Sequence, residues 1–142
     1  MATQYCTFTL DGHTFGIEVS RVQEVLRAQT MTGVPLASTV VEGLINLRGQ
    51  IVTAIDLRRR LDLATRPDDR LPMNMVVRTA DDQFSLLVDE IGDVVDVDEE
   101  TFETPPDTLQ GTARELITGA YKLEDRLLLI LDVDRALELQ AA

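Results

Sequence analysis

The feature that most constrains the fold is an internal repeat with a spacing of about seventy residues. At a shift of 69 positions, FGIEVSRVQEVL (15–26) aligns with FSLLVDEIGDVV (84–95). At a shift of 76 positions, VEGLINLRGQIVTAIDLRRRL (41–61) aligns with ITGAYKLEDRLLLILDVDRAL (117–137). The change of offset places a seven-residue insertion in the second copy, within EETFETPPDTLQGTAREL. Units of this size exceed the period of solenoid repeats, so we expect a duplicated globular fold.

Each copy has the periodicity of short β-strands. In YCTFTL, Cys6, Phe8 and Leu10 share one face, and HTFGIEV alternates in the same way after Asp11-Gly12. Alternation on both sides of an Asp-Gly pair predicts a β-hairpin with a two-residue turn. Each copy then reads as strand, strand, short helical turn, loop, hairpin and short helix. Several short strands at close spacing favour a small barrel.

Length and composition favour two small barrels packed against each other. The chain has 142 residues, of which 44% are hydrophobic, so it can bury a substantial core. A unit of about seventy residues buries too little surface to be stable alone. We therefore expect residues 1–142 to form one domain, with the first barrel at 1–66 and the second at 67–142. The polar, proline-containing stretch ATRPDDRLP is the predicted boundary.

Charge and composition argue against several classes of partner. The net charge is −12, from 25 acidic and 13 basic residues, which would repel nucleic acid and anionic lipid. A single cysteine excludes an internal disulfide, and no apolar run reaches transmembrane length. No signal peptide is visible at the N-terminus. We expect a cytoplasmic protein with no nucleic-acid partner and no direct membrane insertion.

A search for catalytic and cofactor-binding motifs finds little. His13 is the only histidine and follows a turn, and Cys6 alternates with apolar residues. A surface imidazole and a buried, inert thiol are therefore expected. The acidic stretch DEIGDVVDVDEE lacks the ligand spacing of a calcium loop and is interpreted as a solvated strand edge. We predict no metal and no cofactor, and a binding module rather than an enzyme.

Positions shared by the two copies are candidates for structural roles. Asp56 and Asp132 each follow an apolar strand and precede a short helix, which is the place of an N-cap aspartate. The alternative is a catalytic pair of carboxylates in a duplicated-barrel hydrolase, although Thr/Ser-Gly does not follow either aspartate. Gly43 and Gly119 are also shared. Either an unusual backbone or close packing explains them, or a partner packs against the bare backbone.

Arg48 differs between the copies. It lies at a hairpin tip, LRGQ, where the second copy has LEDR. One interpretation is a solvated turn residue. The other is an anchor for a partner, because the planar guanidinium makes several hydrogen bonds while its stem packs on apolar surface.

The block GLINLRGQIV…IDLR, with FGIEVSRVQEVL before it and LITGAYKLEDRLLLILDVDRAL near the C-terminus, resembles the CheW-like coupling proteins of bacterial chemotaxis. The resemblance spans essentially the whole chain. It departs from the family pattern at Thr53, where proline is usual. It implies a mainly β fold of two SH3-like five-stranded barrels with short helices, and a non-enzymatic adaptor.

The resemblance also implies partners. Such an adaptor joins the cytoplasmic tip of a chemoreceptor to the regulatory domain of a chemotaxis histidine kinase, and so reaches membrane receptor arrays through its partners. A receptor helical hairpin would lie in a groove between the barrels. Two alternatives are an adaptor for a different pathway, controlling motility or development, and the hydrolase that uses Asp56 and Asp132.

The receptor site, carried over from the same resemblance onto matching positions, would involve Val22, Glu24, Gly43 and Arg48. The kinase is expected to dock barrel to barrel on apolar strand edges, with Ile45 and Val52 as the candidate contacts.

Overall fold

The computed structural model describes residues 2–27, 29–33, 39–64, 66–67, 71–79, 82–107, 109 and 111–138. Three short α-helices lie within these residues, α1 (Leu57–Arg60), α2 (Gly111–Leu116) and α3 (Val133–Ala136), with 3₁₀ turns at Val19–Arg21 and Glu99–Thr101. The rest of the regular structure is β: β1 (Ala2–Leu10), β2 (His13–Glu18), β3 (Val22–Leu26), β4 (Val41–Leu47), β5 (Gln50–Asp56), β6 (Met73–Arg78), β7 (Gln83–Val88), β8 (Glu90–Asp98), β9 (Ile117–Lys122) and β10 (Leu127–Leu131).

The strands form two five-stranded sheets. The first sheet has the order β8-β1-β2-β10-β9, and the second has the order β3-β6-β7-β5-β4. Neighbouring strands are antiparallel except for one parallel pair in each sheet, β2 with β10 and β5 with β7. The predicted mainly β fold of two five-stranded SH3-like units with short helices is confirmed.

The two sheets are not the two halves of the chain. The first sheet combines β1 and β2 of the first copy with β8, β9 and β10 of the second copy. The second sheet combines β6 and β7 of the second copy with β3, β4 and β5 of the first copy. Each copy thus gives its first hairpin to one sheet and its last three strands to the other. The predicted barrels at 1–66 and 67–142 are therefore wrong in their boundaries. Repeat similarity locates the strands but does not say which copy each strand pairs with.

Equivalent residues of the two copies pair in the same register in the two sheets. Val25 pairs with Met75 in the second sheet, and at the equivalent place in the first sheet Val94 pairs with Cys6. Both ladders also shift register at the same place. The internal duplication seen in the sequence is therefore a duplication of strand pairing and register.

One hydrophobic core joins the two sheets. Phe8 and Phe15 of the first sheet and Met75 and Leu86 of the second are each at most 1% exposed and belong to one cluster, to which α1 and α3 also contribute. Burying each such side chain stabilises the fold by roughly 1.5–3 kcal/mol. Smaller clusters fill the individual barrels: Tyr5, Val97, Tyr121, Leu128 and Ile130 in the first, and Ile45, Val52, Ala54 and Leu87 in the second.

Other predictions from the sequence can be placed on this fold. β8 is an edge strand with exposed acids, as predicted for the acidic stretch, and charged edges discourage pairing with other chains. His13 is exposed as expected. Cys6 is only half-buried, and desolvation raises the pKa of its thiol. In the described part of the chain, none of the helices has the length and hydropathy needed to span a membrane.

Candidate functional site

The tip of the β4–β5 hairpin and the edge strand β3 form the candidate binding site. Arg48 donates two hydrogen bonds to Glu24, from Nη1 to Oε2 at 2.6 Å and from Nη2 to Oε1 at 2.7 Å. This bidentate geometry fixes the orientation of both groups. The two residues are 24 positions apart in the chain, so the sequence around Arg48 gives no sign of the carboxylate that holds it.

The ion pair also reports how the second sheet curls. Glu24 belongs to β3 and Arg48 follows β4, and these strands are the two opposite edges of the sheet. A contact between them requires the sheet to bend until its edges approach, as in a small barrel. The Arg48–Glu24 pair therefore closes the second sheet at the end that carries the hairpin tip.

The backbone at Arg48 is strained. Arg48 has φ +52° and Gly49 has φ +88°, the pair of positive values that defines a type I′ hairpin turn and favours Asn, Asp or Gly first. For other residues, adopting the left-handed backbone conformation costs about 1 kcal/mol. An arginine at a position where the turn itself prefers another residue is a candidate for a role of its side chain beyond the turn.

The electrostatics of the pair leave the guanidinium charged and partly available. The hydrogen bonds with Glu24 raise the pKa of Arg48 and lower that of Glu24. The side chain of Arg48 is 73% exposed and that of Glu24 is 23% exposed, so the pair adds little to folding stability. Glu24 uses two of the guanidinium N–H groups, and the others are available to a partner.

Val22 and Gly43 are placed differently from the ion pair. Val22 begins β3 and packs, partly buried, against the shared core. Gly43 is buried, and a Cβ atom there would lie 2.7 Å from the carbonyl oxygen of Thr32. Thr32 forms an isolated antiparallel bridge with Leu44, so the bare backbone of Gly43 receives a segment of its own chain. Gly119 repeats this arrangement in the second copy, against the backbone of residue 103.

The structure does not support the predicted kinase contacts, because both side chains are buried. Ile45 and Val52 are 2% and 1% exposed and fill the small core of the second barrel. Their side chains offer no surface for a direct contact, which contradicts the prediction. The neighbouring Ile51 is 65% exposed, because successive side chains of a strand point to opposite faces. Sequence alternation alone did not say which face of this hairpin points inward.

Asp56 and Asp132 are helix N-caps, as the first interpretation predicted. Asp56 Oδ1 accepts hydrogen bonds from the backbone N–H groups of Arg58 at 3.0 Å and Arg59 at 3.4 Å. Asp132 Oδ1 accepts one from the backbone N–H of Arg135 at 3.1 Å. Each carboxylate satisfies otherwise unpaired donors at the start of its own helix. This geometry gives the hydrolase alternative no support.

A buried ion network lies where the chain passes from the second sheet to the first, and sequence reasoning missed it. Asp89, directly after β7, accepts hydrogen bonds from both Nε (2.8 Å) and Nη2 of Arg58, from Nε of Arg66 at 3.1 Å and from the backbone N–H of Asp11 at 2.9 Å. The side chains of Arg58 and Asp89 are 6% and 3% exposed. The available signal was Arg58 itself, which aligns with Asp134 instead of another arginine.

Burial and pairing act in opposite directions on Asp89. Desolvation raises the pKa of its carboxyl, but the hydrogen bonds from Arg58 and Asp11 and the charges of Arg58 and Arg66 outweigh it, and the net shift is downward. The carboxylate therefore stays charged inside the fold. Within the described residues, no group of three or more His, Cys, Asp or Glu side chains is arranged to hold a metal ion.

Fold and site together define a duplicated β-barrel protein with an exposed arginine fork, the name used below for Arg48 held by its two hydrogen bonds to Glu24. The CheW-like domain family matches residues 4–141. Chemotaxis protein CheW of Bacillus subtilis is 31% identical over 135 residues, covering 95% of this chain and 86% of that protein. The CheW of Treponema pallidum is 29% identical over 136 residues, covering 93% and 80%. The crystal structure of scaffolding protein TtCheW from Thermoanaerobacter tengcongensis matches with a TM-score of 0.88 at 26% identity, covering 100% of this chain and 97% of that one. The chain belongs to the CheW-like domain family.

Proposed function

We propose that the protein is a non-enzymatic adaptor that couples the cytoplasmic tip of a chemoreceptor to the regulatory domain of a chemotaxis histidine kinase. It would work in the cytoplasm and reach receptor arrays through these partners. Membership of the CheW-like family and similarity to chemotaxis proteins and to a scaffolding protein support the proposal. Within the molecule, the proposal rests on one observation, the exposed Arg48 held by Glu24 on a strained turn.

On the receptor side, the fork acts as a prepared anchor. Glu24 holds the guanidinium in place, so less side-chain freedom is lost when a partner binds. The remaining N–H groups can bond carbonyl or carboxylate oxygens on a receptor helical hairpin. Val25, next to Glu24 on β3, is 42% exposed and provides apolar surface for the helix-in-groove mode. Val22 and Gly43 contribute by shaping β3 and the start of β4 rather than by direct contact.

On the kinase side, the candidate surface moves from Ile45 and Val52 to their exposed neighbour. Ile51 lies on the outer face of β5, and its equivalent in the other barrel, Leu127, is 40% exposed. Each barrel thus presents one apolar side chain at the same place, which suits barrel-to-barrel docking. With no chemical step of its own, the adaptor would pass the signal as a shift in the conformational population of the kinase.

The test is a pull-down from the source cell with the tagged wild-type protein and the Arg48→Asn variant. Asparagine accepts positive φ, so this variant removes the anchor without disturbing the turn. Its free energy of unfolding should equal or exceed that of the wild type by up to about 1 kcal/mol. We expect the wild type to retain a chemoreceptor and a histidine kinase, and Arg48→Asn to retain only the kinase.

A matched control is Arg126→Asn, which removes an exposed arginine from the other hairpin tip and should retain both partners. If Arg48→Asn also retains both, Arg48 is only a turn residue. A wild-type protein that retains neither partner would show that the proposed function is wrong.

A further inference from the structure

Between the strands that the structure describes, the chain crosses from one sheet to the other twice, and the two crossings are held by unequal contacts. At the crossing from β7 to β8, Asp89 lies in the buried network with Arg58 and Arg66. At the crossing from β2 to β3, the 3₁₀ turn Val19–Arg21 relies on an ion pair between Arg21 and Asp134. The side chains of this pair are 31% and 63% exposed. The β2–β3 crossing is therefore the one that solvent and salt can reach.

Arg21 ties both sheets together at that crossing. Its Nη2 donates to Oδ1 of Asp134 at 2.5 Å and its Nη1 donates to Oδ2 at 3.3 Å. Asp134 lies in α3, directly after β10 of the first sheet. The Nε of Arg21 donates to the carbonyl oxygen of Arg78 at 3.0 Å, and Arg78 ends β6 of the second sheet. One guanidinium thus fixes the start of β3 relative to elements of both sheets.

The strand that begins beside Arg21 carries half of the arginine fork. β3 starts at Val22, pairs with β6 and shifts register between Val22 and Glu24. Glu24 is the first residue after the shift, where pairing resumes opposite Val76. It lies at the end of the regular ladder, three residues after Arg21, so its position depends on how the start of β3 is held. We infer that Arg21, together with Asp134, is a positioning residue for the receptor site, placing Glu24 and through it Arg48. This inference rests on the proposed adaptor function.

The positioning contact is sensitive to salt in a way that a buried contact is not. An exposed ion pair is weakened by screening ions. Part of the salt dependence of receptor binding therefore arises inside the adaptor rather than at the interface. Loss of either partner of the pair should weaken receptor binding about two- to fivefold, the range that one exposed ion pair supports.

The experiment measures binding of the full-length protein to a fluorescent helical-hairpin fragment from the cytoplasmic tip of a chemoreceptor of the same organism. The proteins compared are the wild type, Arg21→Gln, Asp134→Asn, the double variant, and Arg126→Gln as a charge control. We expect both single variants to bind more weakly, the double variant to be no weaker than Arg21→Gln, and Arg126→Gln to match the wild type. Amide hydrogen exchange should accelerate in β3 of all three pair variants, while their melting temperatures stay close to that of the wild type.

Different results overturn different conclusions. If the wild type fails to bind the fragment, the proposed function falls and the inference with it. If the wild type binds and Arg21→Gln binds equally well, the inference alone is wrong. If Arg21→Gln weakens binding without accelerating hydrogen exchange in β3, Arg21 contacts the receptor directly and the positioning role is wrong. If Arg21→Gln weakens binding and Asp134→Asn does not, the part assigned to Asp134 is wrong, because the bond to the carbonyl oxygen of Arg78 is then sufficient.

Discussion

The tips of the β4–β5 and β9–β10 hairpins occupy the same place in the two barrels but carry opposite charges. Arg48 at the first tip reaches Glu24 on the edge strand. The equivalent positions in the other barrel, fixed by matching strand registers, are Glu124 and Asp93. Two carboxylates cannot form the fork, and they would repel a carbonyl-rich or acidic partner. Duplication kept the strand pairing and register of both barrels, and only one barrel has the side chains of the proposed receptor site.

The two sheet crossings show a second reversal. Arg58 of α1 pairs with Asp89 at one crossing. Asp134, at the equivalent position of α3, pairs with Arg21, which lies one residue after the position that aligns with Asp89. The fold therefore keeps an ion pair at each crossing but not its polarity or its burial. Removing one partner of a buried pair leaves an uncompensated charge in the protein interior, whereas an exposed pair is easily replaced by water. Folding stability should therefore depend mainly on the buried β7–β8 crossing. The position of the receptor site should depend on the exposed β2–β3 crossing.

The largest expected effect breaks the buried crossing. Asp89→Ala leaves Arg58 without its carboxylate and should lower the free energy of unfolding by about 3–5 kcal/mol. Asp134→Ala, the matched change at the exposed crossing, should cost at most about 1 kcal/mol. Urea unfolding of both variants and the wild type checks this. Equal, small losses would contradict the distinction between the two crossings.

The same crossing should make the free energy of unfolding fall at acid pH. Because the pKa of Asp89 is lowered in the folded state, its contribution to stability is complete above the unfolded-state pKa of about 3.9. That contribution is lost as the pH falls through the lower folded-state pKa. A plot of unfolding free energy against pH should therefore fall less steeply below about pH 4 for Asp89→Asn than for the wild type.

An intermediate effect tests the shared glycines. A Cβ atom at Gly119 would lie 2.5 Å from the carbonyl oxygen of Glu103 and would also clash with the ring of Phe102. Among the residues that the structure describes, nothing lies within 4 Å of a Cβ atom at Gly33. Gly119→Ala should therefore destabilise the fold by about 1–3 kcal/mol. Gly43→Ala, against Thr32, should follow, and Gly33→Ala should be close to neutral. Thermal unfolding gives the order, and a neutral Gly119→Ala would show that the segment before β9 yields easily.

Local features of the fold could be predicted from the sequence because local interactions set them. The Asp11-Gly12 turn has the two positive φ values of a type I′ hairpin, since Asp and Gly tolerate that backbone. The caps at Asp56 and Asp132 follow from a short acceptor at the start of a helix. The repeat predicted the duplication, because both copies preserve the spacing of strands and turns.

Features that depend on distant pairing could not be predicted. Exchanging the first hairpins between the sheets leaves every local pattern unchanged, so the repeat is compatible with either pairing. The partners Arg58 and Asp89 are 31 positions apart in the chain, and those of the Arg48–Glu24 fork 24. Nothing in a single sequence singles out such pairs. Only the closure of the sheets decides that Arg48 meets an acid rather than water.

The smallest expected effect tries to build the missing fork. Glu124→Arg places an arginine across from Asp93 and should raise the free energy of unfolding by at most about 0.5 kcal/mol, because both positions are exposed. Repeating the change on an Asp93→Asn background separates an ion pair from the general relief of a net charge of −12. The gain should disappear on that background, as measured by urea unfolding. Receptor binding should not change in either case, because Arg48 projects from a turn with two positive φ values and Glu124 does not share that backbone. An added receptor site in Glu124→Arg would mean that charge alone, without the strained turn, is sufficient.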